Sequence, residues 1–450
     1  MLAELTHNQS LLLYTVLAIA GLVLLIARCK VHAFVALILA SIFVGLCAGM
    51  RLTDVAKGFQ DGVAAMLGTI AIVVGLGTIL GKLLAESGGA EVVASTFIRA
   101  LGERRLHWTM MLVAFIVGLP VFFGVGLVLL FPVLLTVARE TKIPLLHLGI
   151  PMVAGLAVAH GFVPPHPGPM AAIGLLKADA GKTIFYSLLV GFPTAIIAGP
   201  LLGTWLARGE QVELSALAGQ LKSSSERKTA PGFALTLFTI LLPVMLMMLA
   251  SAADVRLREQ STLREWLDFL GSPLVAMLIT VLFSFYSFGF ARGFTAAQVL
   301  KFSEDCLAPA ANILLVVGAG GGFNKILVLS GVGNAIAAYA QDAHISPLLL
   351  GWMVAASIRL AVGSATAAIS AAVGIMAPIA DALPGTNREL LVLAMGAGSS
   401  FFSHLSDGGF WFVKEYFNLT VPQTLRTWSV MTTIISVFGL LFVMLLARWV

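Results

Sequence analysis

Charge is scarce in this chain. Only 11% of its residues are Asp, Glu, Lys or Arg, against about 25% in soluble domains, while 59% are hydrophobic and the mean hydropathy is +0.99. That composition excludes an ordinary soluble domain. Cysteine is nearly absent too: Cys29, Cys47 and Cys306 are odd in number, far apart and lie in or beside apolar runs. No CxxC or comparable ligand spacing joins them, which argues against a disulfide framework or a cysteine metal site and predicts buried thiols. Long polar blocks are missing as well. The two longest, roughly 208–231 and 254–268, are too short for a soluble catalytic domain. The net charge of +5 comes from scattered loop residues rather than a basic stripe, so no nucleic-acid partner is expected.

What fills the chain is apolar sequence. Runs such as Leu11–Ala27, Ala33–Met50, Gly232–Ala250, Leu274–Phe290 and Ser429–Leu446 approach or reach the roughly 17–25 residues that cross a bilayer. The expectation is an all-α polytopic membrane protein with about 12–14 membrane segments. No basic region precedes the first run, and Arg28, Cys29 and Lys30 follow it in place of a small-residue cleavage site. It therefore reads as a retained span. Basic residues favour the cytoplasmic side, so Arg28 and Lys30, and the Arg99, Arg104, Arg105 loop, predict an outside N-terminus.

The polar interval 208–231 divides the chain into membrane halves 1–207 and 232–450, which resemble each other. Gly75, Gly77, Lys82, Ser87 and Gly88 fall on Gly318, Gly320, Lys325, Ser330 and Gly331 at one constant offset. Duplicated halves are typical of secondary transporters, which hold substrate where the repeats meet. Two corresponding segments, Gly118–Pro132 and Arg359–Pro378, are apolar yet rich in Gly and Pro, and read as helical hairpins or interrupted helices. Gly318–Gly322 superficially suggests a dinucleotide loop. Inside an apolar span with no strand pattern, close helix packing is the better reading. Lys82 and Lys325 read as interface or span-end residues.

The densest interruption is His160–Pro169, with four prolines, two glycines and two histidines in ten residues. Proline removes a backbone donor and costs about 3 kcal/mol in a helix interior, so this stretch predicts a broken helix at membrane depth, lining a cavity. Its second-half counterpart is Ser403–Gly409, with His404 and Asp407. A charge at the bilayer centre costs about 2.5–3.5 kcal/mol on insertion scales, so Arg359 needs a reason: an anionic substrate gripped through two hydrogen bonds, or else snorkelling near a span end or pairing with an internal acid. Ser364 and Thr366 follow at a turn where a half-helix N-terminus would point its amides at an anion. Asp407, His160 and His404 are candidates for a coupling proton. Capping a helix, or pairing with Lys414, is the structural alternative for Asp407.

At these residues the chain resembles the gluconate permease family of bacterial inner-membrane symporters. The resemblance is carried by His160–Pro169, by Gly363, Ser364, Ala365 and Thr366, and by Ser403–Thr420, and extends over essentially the whole chain. It implies proton-coupled uptake of gluconate or a related sugar acid, two inverted repeats with re-entrant hairpins and broken helices, no cofactor, and a homodimer. Arg359 before Gly363, and the Ser403–His404 pair, resemble the gluconate branch rather than the branch that carries D-serine. The expected substrate site comprises His160, Pro165, His166, Arg359, Gly363, Ser364, Thr366, Ser403 and His404, with Asp407 and His404 as coupling residues. One departure matters: many relatives have an acid where this chain has Gly124, which leaves Asp407 as the principal coupling candidate or alters the stoichiometry. Two readings of other classes stay open. An intramembrane metalloenzyme would use His160, His166, His404 and Asp407 as ligands, although no HExxH spacing is present. A passive channel is disfavoured by the duplicated broken helices.

Overall fold

The structure, a computed structural model, describes residues 6–206, 229–257, 261–332, 335, 346–383, 385–405 and 407–450. The expected linker 208–231 lies outside the described residues except for its last three. Four helices lead in: α1 (His7–Ala27), α2 (Ala33–Cys47), α3 (Leu52–Ser87) and α4 (Gly89–Leu101). Then come α5 (Leu106–Gly118), α6 (Phe123–Thr141), α7 (Leu145–Phe162), α8 (Pro167–Leu176) and α9 (Ala180–Ile196). A π turn at Ile197–Leu201 passes into the short α10 (Leu202–Leu206). The second half opens with α11 (Phe233–Arg256), α12 (Thr262–Gly271), α13 (Pro273–Ser284), α14 (Ala296–Asp305) and α15 (Leu307–Leu329). It continues through α16 (Pro347–Val362), α17 (Ala365–Ala382), α18 (Arg388–Ser399) and α19 (Gly408–Tyr416). The short α20 (Val421–Thr424), a π turn at Leu425–Ser429 and α21 (Val430–Leu446) close the chain.

Eight helices among the described residues are long and apolar enough to cross a membrane, and five shorter apolar helices accompany them. Large apolar side chains such as Leu24, Phe43, Phe192, Phe238 and Leu282 stand exposed on the outer helices, as they must where the surrounding solvent is lipid. The inner layer is different. In α7–α8, 83% of the most apolar window is buried, against 33% in α11. Helices α7, α8, α17 and α18 pack on one another at the centre, with α5 against α7 and α16 against α18.

The order helix, break, helix, helix, break, helix occurs twice. α5 and α6, of 13 and 19 residues, correspond to α16 and α17, of 16 and 18. α8 and α19, of 10 and 9 residues, follow the second break of each half. The two members of each pair, α5 with α6 and α16 with α17, also pack against each other, as the hairpin reading requires. The proline-rich motif is broken over a much shorter stretch than its composition suggests. α7 runs on through His160 and Gly161 to Phe162, and only 163–166 leaves the helix. Pro167, Gly168 and Pro169 form the first turn of α8, where a missing amide hydrogen costs nothing because no intrahelical partner exists there. The other half's break is wider, from Ser400 to Asp407.

Glycines set how closely these helices approach. The Gly318–Gly322 stretch is helix packing, as expected: a Cβ on Gly321 would lie 2.4 Å from Met66 Cβ, and one on Gly320 would lie 2.8 Å from the Ser370 carbonyl oxygen. It wedges α15 between α3 and α17. Lys325 stands at the α3 contact, while Lys82 pairs with Glu86 at 2.7 Å within α3. Cys306 is buried as expected, but Cys29 is exposed, because α1 has ended and the chain is turning there.

The crossing of α7 and α18 brings the α7–α8 and α18–α19 breaks together. A Cβ on Gly396 would lie 2.6 Å from the Gly161 carbonyl oxygen, a backbone atom that cannot swing away. Gly396→Ala should cost about 1–3 kcal/mol by overpacking and lower the apparent Tm of the purified protein in detergent. Gly68→Ala, where nothing lies within 4 Å, is the matched control and should leave Tm unchanged or raised. Equal effects of the two substitutions would show that the crossing is not tight.

Candidate functional site

The site begins where α16 stops. Gly363 takes a left-handed conformation (φ 76°) that turns the chain, and Ser364 is extended and caps α17, accepting the Ala367 amide at 3.3 Å. In the other half α6 starts after Phe122 with no side-chain cap. The first amides of a helix have no intrahelical acceptor and carry its positive end. Both N-termini open on one cavity of about 260 Å³, lined by Phe122, Phe123 and Gly124 from one and Ser364, Ala365 and Thr366 from the other.

Arg359, in the last turn of α16, is only 3% exposed. One terminal nitrogen, Nη2, donates to Asp407 Oδ2 at 2.5 Å, and Nη1 donates to the Gly363 carbonyl. Its Nε, also buried, has no hydrogen-bond partner among the described residues. Asp407 is held from several sides. Its Oδ1 caps α19 by accepting the Gly409 amide at 2.9 Å, and its Oδ2 also accepts the Ser403 hydroxyl. The Ser403 oxygen in turn accepts Trp428 Nε1–H at 2.6 Å, while its backbone amide donates to Thr432 and its carbonyl accepts from Ser429. Buried polar groups need hydrogen-bond partners, and this carboxylate has three: the Gly409 amide, the Ser403 hydroxyl and Arg359 itself. The acid reads both as a cap and as an ion-pair partner. That partner is Arg359, since Lys414 pairs with Glu415 at 2.7 Å.

The opposite wall carries His160, at the end of α7. Its Nδ1 lies 3.2 Å from Nδ1 of His166, whose Nε2 lies 2.7 Å from the Gly118 carbonyl oxygen. Phe122 packs against both rings, with centroids 6.4 and 6.2 Å away. Phe412 and Trp428 add further aromatic surface to the cavity, and Ser400 and Thr432 add hydroxyls. The result is a cationic guanidinium, two helix N-termini and a few hydroxyls framed by aromatic rings. Such a pocket accepts a small anion with an adjoining polar chain.

Of the expected site residues, His160, Arg359, Ser364, Thr366 and Asp407 line this cavity together. The others stand back from it. Gly363 forms the turn and gives its carbonyl to Arg359, Ser403 sits behind Asp407, and His166 and Pro165 are buried in the α7–α8 break behind His160. His404 points elsewhere, its Nε2 lying 2.9 Å from the Leu360 carbonyl oxygen. Sequence reasoning missed Trp428, Thr432 and Phe412, which carry no local signal in an apolar stretch. It also missed the pairing of Arg359 with Asp407. Among the described residues no group of three or more His, Cys, Asp and Glu side chains gathers as a metal site.

The profile of a family described as GntP family permease matches residues 10–449. A gluconate permease of Pseudomonas aeruginosa is 50% identical over 443 residues, covering 98% of each chain. The D-serine transporter DsdX of Escherichia coli is 37% identical, covering 96% of this chain and 98% of its own. The crystal structure of the Alcanivorax borkumensis YdaH transporter shares the fold, with a TM-score of 0.63 at 19% identity over 92% of this chain and 97% of that one.

The ion pair has a measurable signature. Asp407→Asn leaves a buried guanidinium uncompensated and should destabilise the protein by about 3–5 kcal/mol. Adding Arg359→Gln to it should recover most of that loss. Thermal unfolding of the two single variants and the double variant forms a cycle, and strictly additive losses would show that the two side chains do not interact.

Proposed function

Because this chain belongs to the GntP permease family and is a multi-pass membrane transporter of the gluconate permease type rather than an enzyme, we propose that it imports gluconate or a closely related sugar acid by proton symport across the bacterial inner membrane. The observation that carries this reading is Arg359, a buried guanidinium with an unused Nε–H on the wall of a cavity faced by helix N-termini. A substrate carboxylate meets the same donors that Asp407 now uses. The two carboxylates compete for one guanidinium, and protonation of Asp407 removes the competitor. The substrate then replaces the lost negative charge, so the cavity is neutral both empty and loaded. That exchange couples one proton to one anion and keeps the moving site free of net charge, whose burial is costly.

The polyol chain extends toward His160 and the hydroxyls of Thr366 and Thr432, with Phe412 and Trp428 against its C–H faces. The gluconate permease of P. aeruginosa supports this substrate class. D-serine fits less well: Asp407 is the one acidic side chain among the described residues lining the cavity, and in this exchange it is protonated when substrate binds, leaving no counter-ion for an ammonium. In this reading 1–207 and 232–450 are inverted repeats joined by the linker 208–231, the N-terminus is periplasmic, and the protein works as a homodimer.

Uptake of radiolabelled gluconate into proteoliposomes tests the proposal. An inward proton gradient should drive accumulation that unlabelled gluconate competes with and D-serine does not, and a membrane potential alone should drive none. Arg359→Gln should lose about 2–5 kcal/mol of substrate binding, at least thirtyfold in affinity. Asp407→Asn should abolish gradient-driven accumulation. Wild-type affinity in Arg359→Gln would remove that residue from the site, and potential-driven uptake would overturn the one-for-one coupling.

A further inference from the structure

The Arg359 wall and the helix N-termini offer donors, which suit a carboxylate. A polyol chain also brings hydroxyl donors of its own, and these need an acceptor. We infer that His166 is a positioning residue that holds His160 in the tautomer protonated on Nδ1, so that His160 Nε2 accepts a hydrogen bond from a hydroxyl of the substrate. The inference rests on the sugar-acid reading and adds the residue that recognises the chain rather than the carboxylate.

Two bonds set the tautomer. The Gly118 carbonyl can only accept, so His166 Nε2, 2.7 Å away, carries a hydrogen. A neutral imidazole has one N–H, which leaves His166 Nδ1 with its lone pair. His160 Nδ1, 3.2 Å from that lone pair, must then be the donor. The remaining nitrogen, His160 Nε2, is unprotonated and finds no partner among the described residues, and the ring lines the cavity. The chain of bonds is anchored firmly. His166 is 2% exposed, in the four-residue break between α7 and α8. Gly118 ends α5, where the last carbonyls lack intrahelical donors and otherwise stay unsatisfied. The Phe122 ring packs beside both imidazoles, with centroids 6.4 and 6.2 Å from theirs. The charged groups sharing the cavity, Arg359 and Asp407, are engaged with each other. The first break thus does more than interrupt a helix: it delivers the side chain that sets the polarity of the cavity-facing nitrogen.

Two measurements test this on the full-length transporter in lipid. In 15N-histidine spectra at neutral pH, the His160 signals, assigned by their loss in His160→Gln, should report the Nδ1–H tautomer. The Nε2–H tautomer would overturn the proposal whatever the protein transports. In proteoliposomes, His166→Leu removes the acceptor and should raise the KM for gluconate about tenfold while changing turnover little, the pattern of lost uniform binding. His166→Asn keeps an amide oxygen near the position of Nδ1 and should restore KM to within about threefold of wild type. Among monodeoxygluconates, one should inhibit wild type about tenfold more weakly than gluconate does and be unaffected by His166→Leu. Equal losses in the Leu and Asn variants, or weakening of every deoxy acid by as much as gluconate, would overturn the inference. Wild-type protein that carries no gluconate fails the transport reading instead, and the spectra distinguish the two failures.

Discussion

A helix interrupted inside a bilayer leaves amide and carbonyl groups with no water to satisfy them, and each unsatisfied group costs several kcal/mol. The four breaks in this protein are built around that constraint. In the first half the carbonyl at the end of α5 is taken by a side chain from the α7–α8 break, His166 to Gly118. In the second half the carbonyl after α16 is taken by Arg359, which also reaches Asp407 in the α18–α19 break. Each half therefore ties its hairpin to its second break with a polar side chain. The second tie stands at the wall of the cavity and the first stands behind it, behind His160, because the α7–α8 and α18–α19 breaks are brought together where α7 crosses α18. What closes the fold also furnishes the pocket.

The two ties differ in charge. The first is neutral and changes only the direction of its hydrogen bonds. The second is an ion pair with side chains 4% and 13% exposed. Buried ion pairs rarely stabilise a fold compared with apolar packing of the same volume, because desolvation offsets the Coulomb gain. Ser403, whose hydroxyl, amide and carbonyl are all bonded, holds Asp407 in orientation. So much polar support is what the proposed exchange of Asp407 for a substrate carboxylate would need.

Much of this plan was legible in the sequence. Scarcity of charge gave the membrane class, and Gly and Pro placed all four breaks at the right positions along the chain. Their extent was not legible. Pro167 and Pro169 look like helix breakers, but they occupy the first turn of α8, where proline is a helix starter, so composition alone overstated the gap. Arg359 and Asp407 were each recognisable as charges needing a reason. Their pairing was not, because they are separated by two helices in sequence and only the packing of α16 on α18 unites them. Trp428, Thr432 and Phe412 were invisible for a related reason: an aromatic or threonine in an apolar helix carries no mark of which way it points. His166 was noticed as a ring beside the substrate, whereas its observed contacts are with Gly118 and His160.

Gly124 shows how one missing side chain can simplify a site. Its backbone lines the cavity, and a Cβ added there would lie 3.2 Å from Phe412 Cε2. An acidic side chain at this position would enter a space now bounded by that ring and shared with Arg359 and Asp407. A second carboxylate beside Asp407 would place two like charges in one cavity, and they would repel. With glycine the cavity holds one acid against one guanidinium among its described residues. The α6 amides then reach the cavity without a neighbouring negative charge to offset their positive end. In the proposed exchange such a site has one charge to give up, so charge counting alone selects a monoanion, before any hydroxyl is recognised.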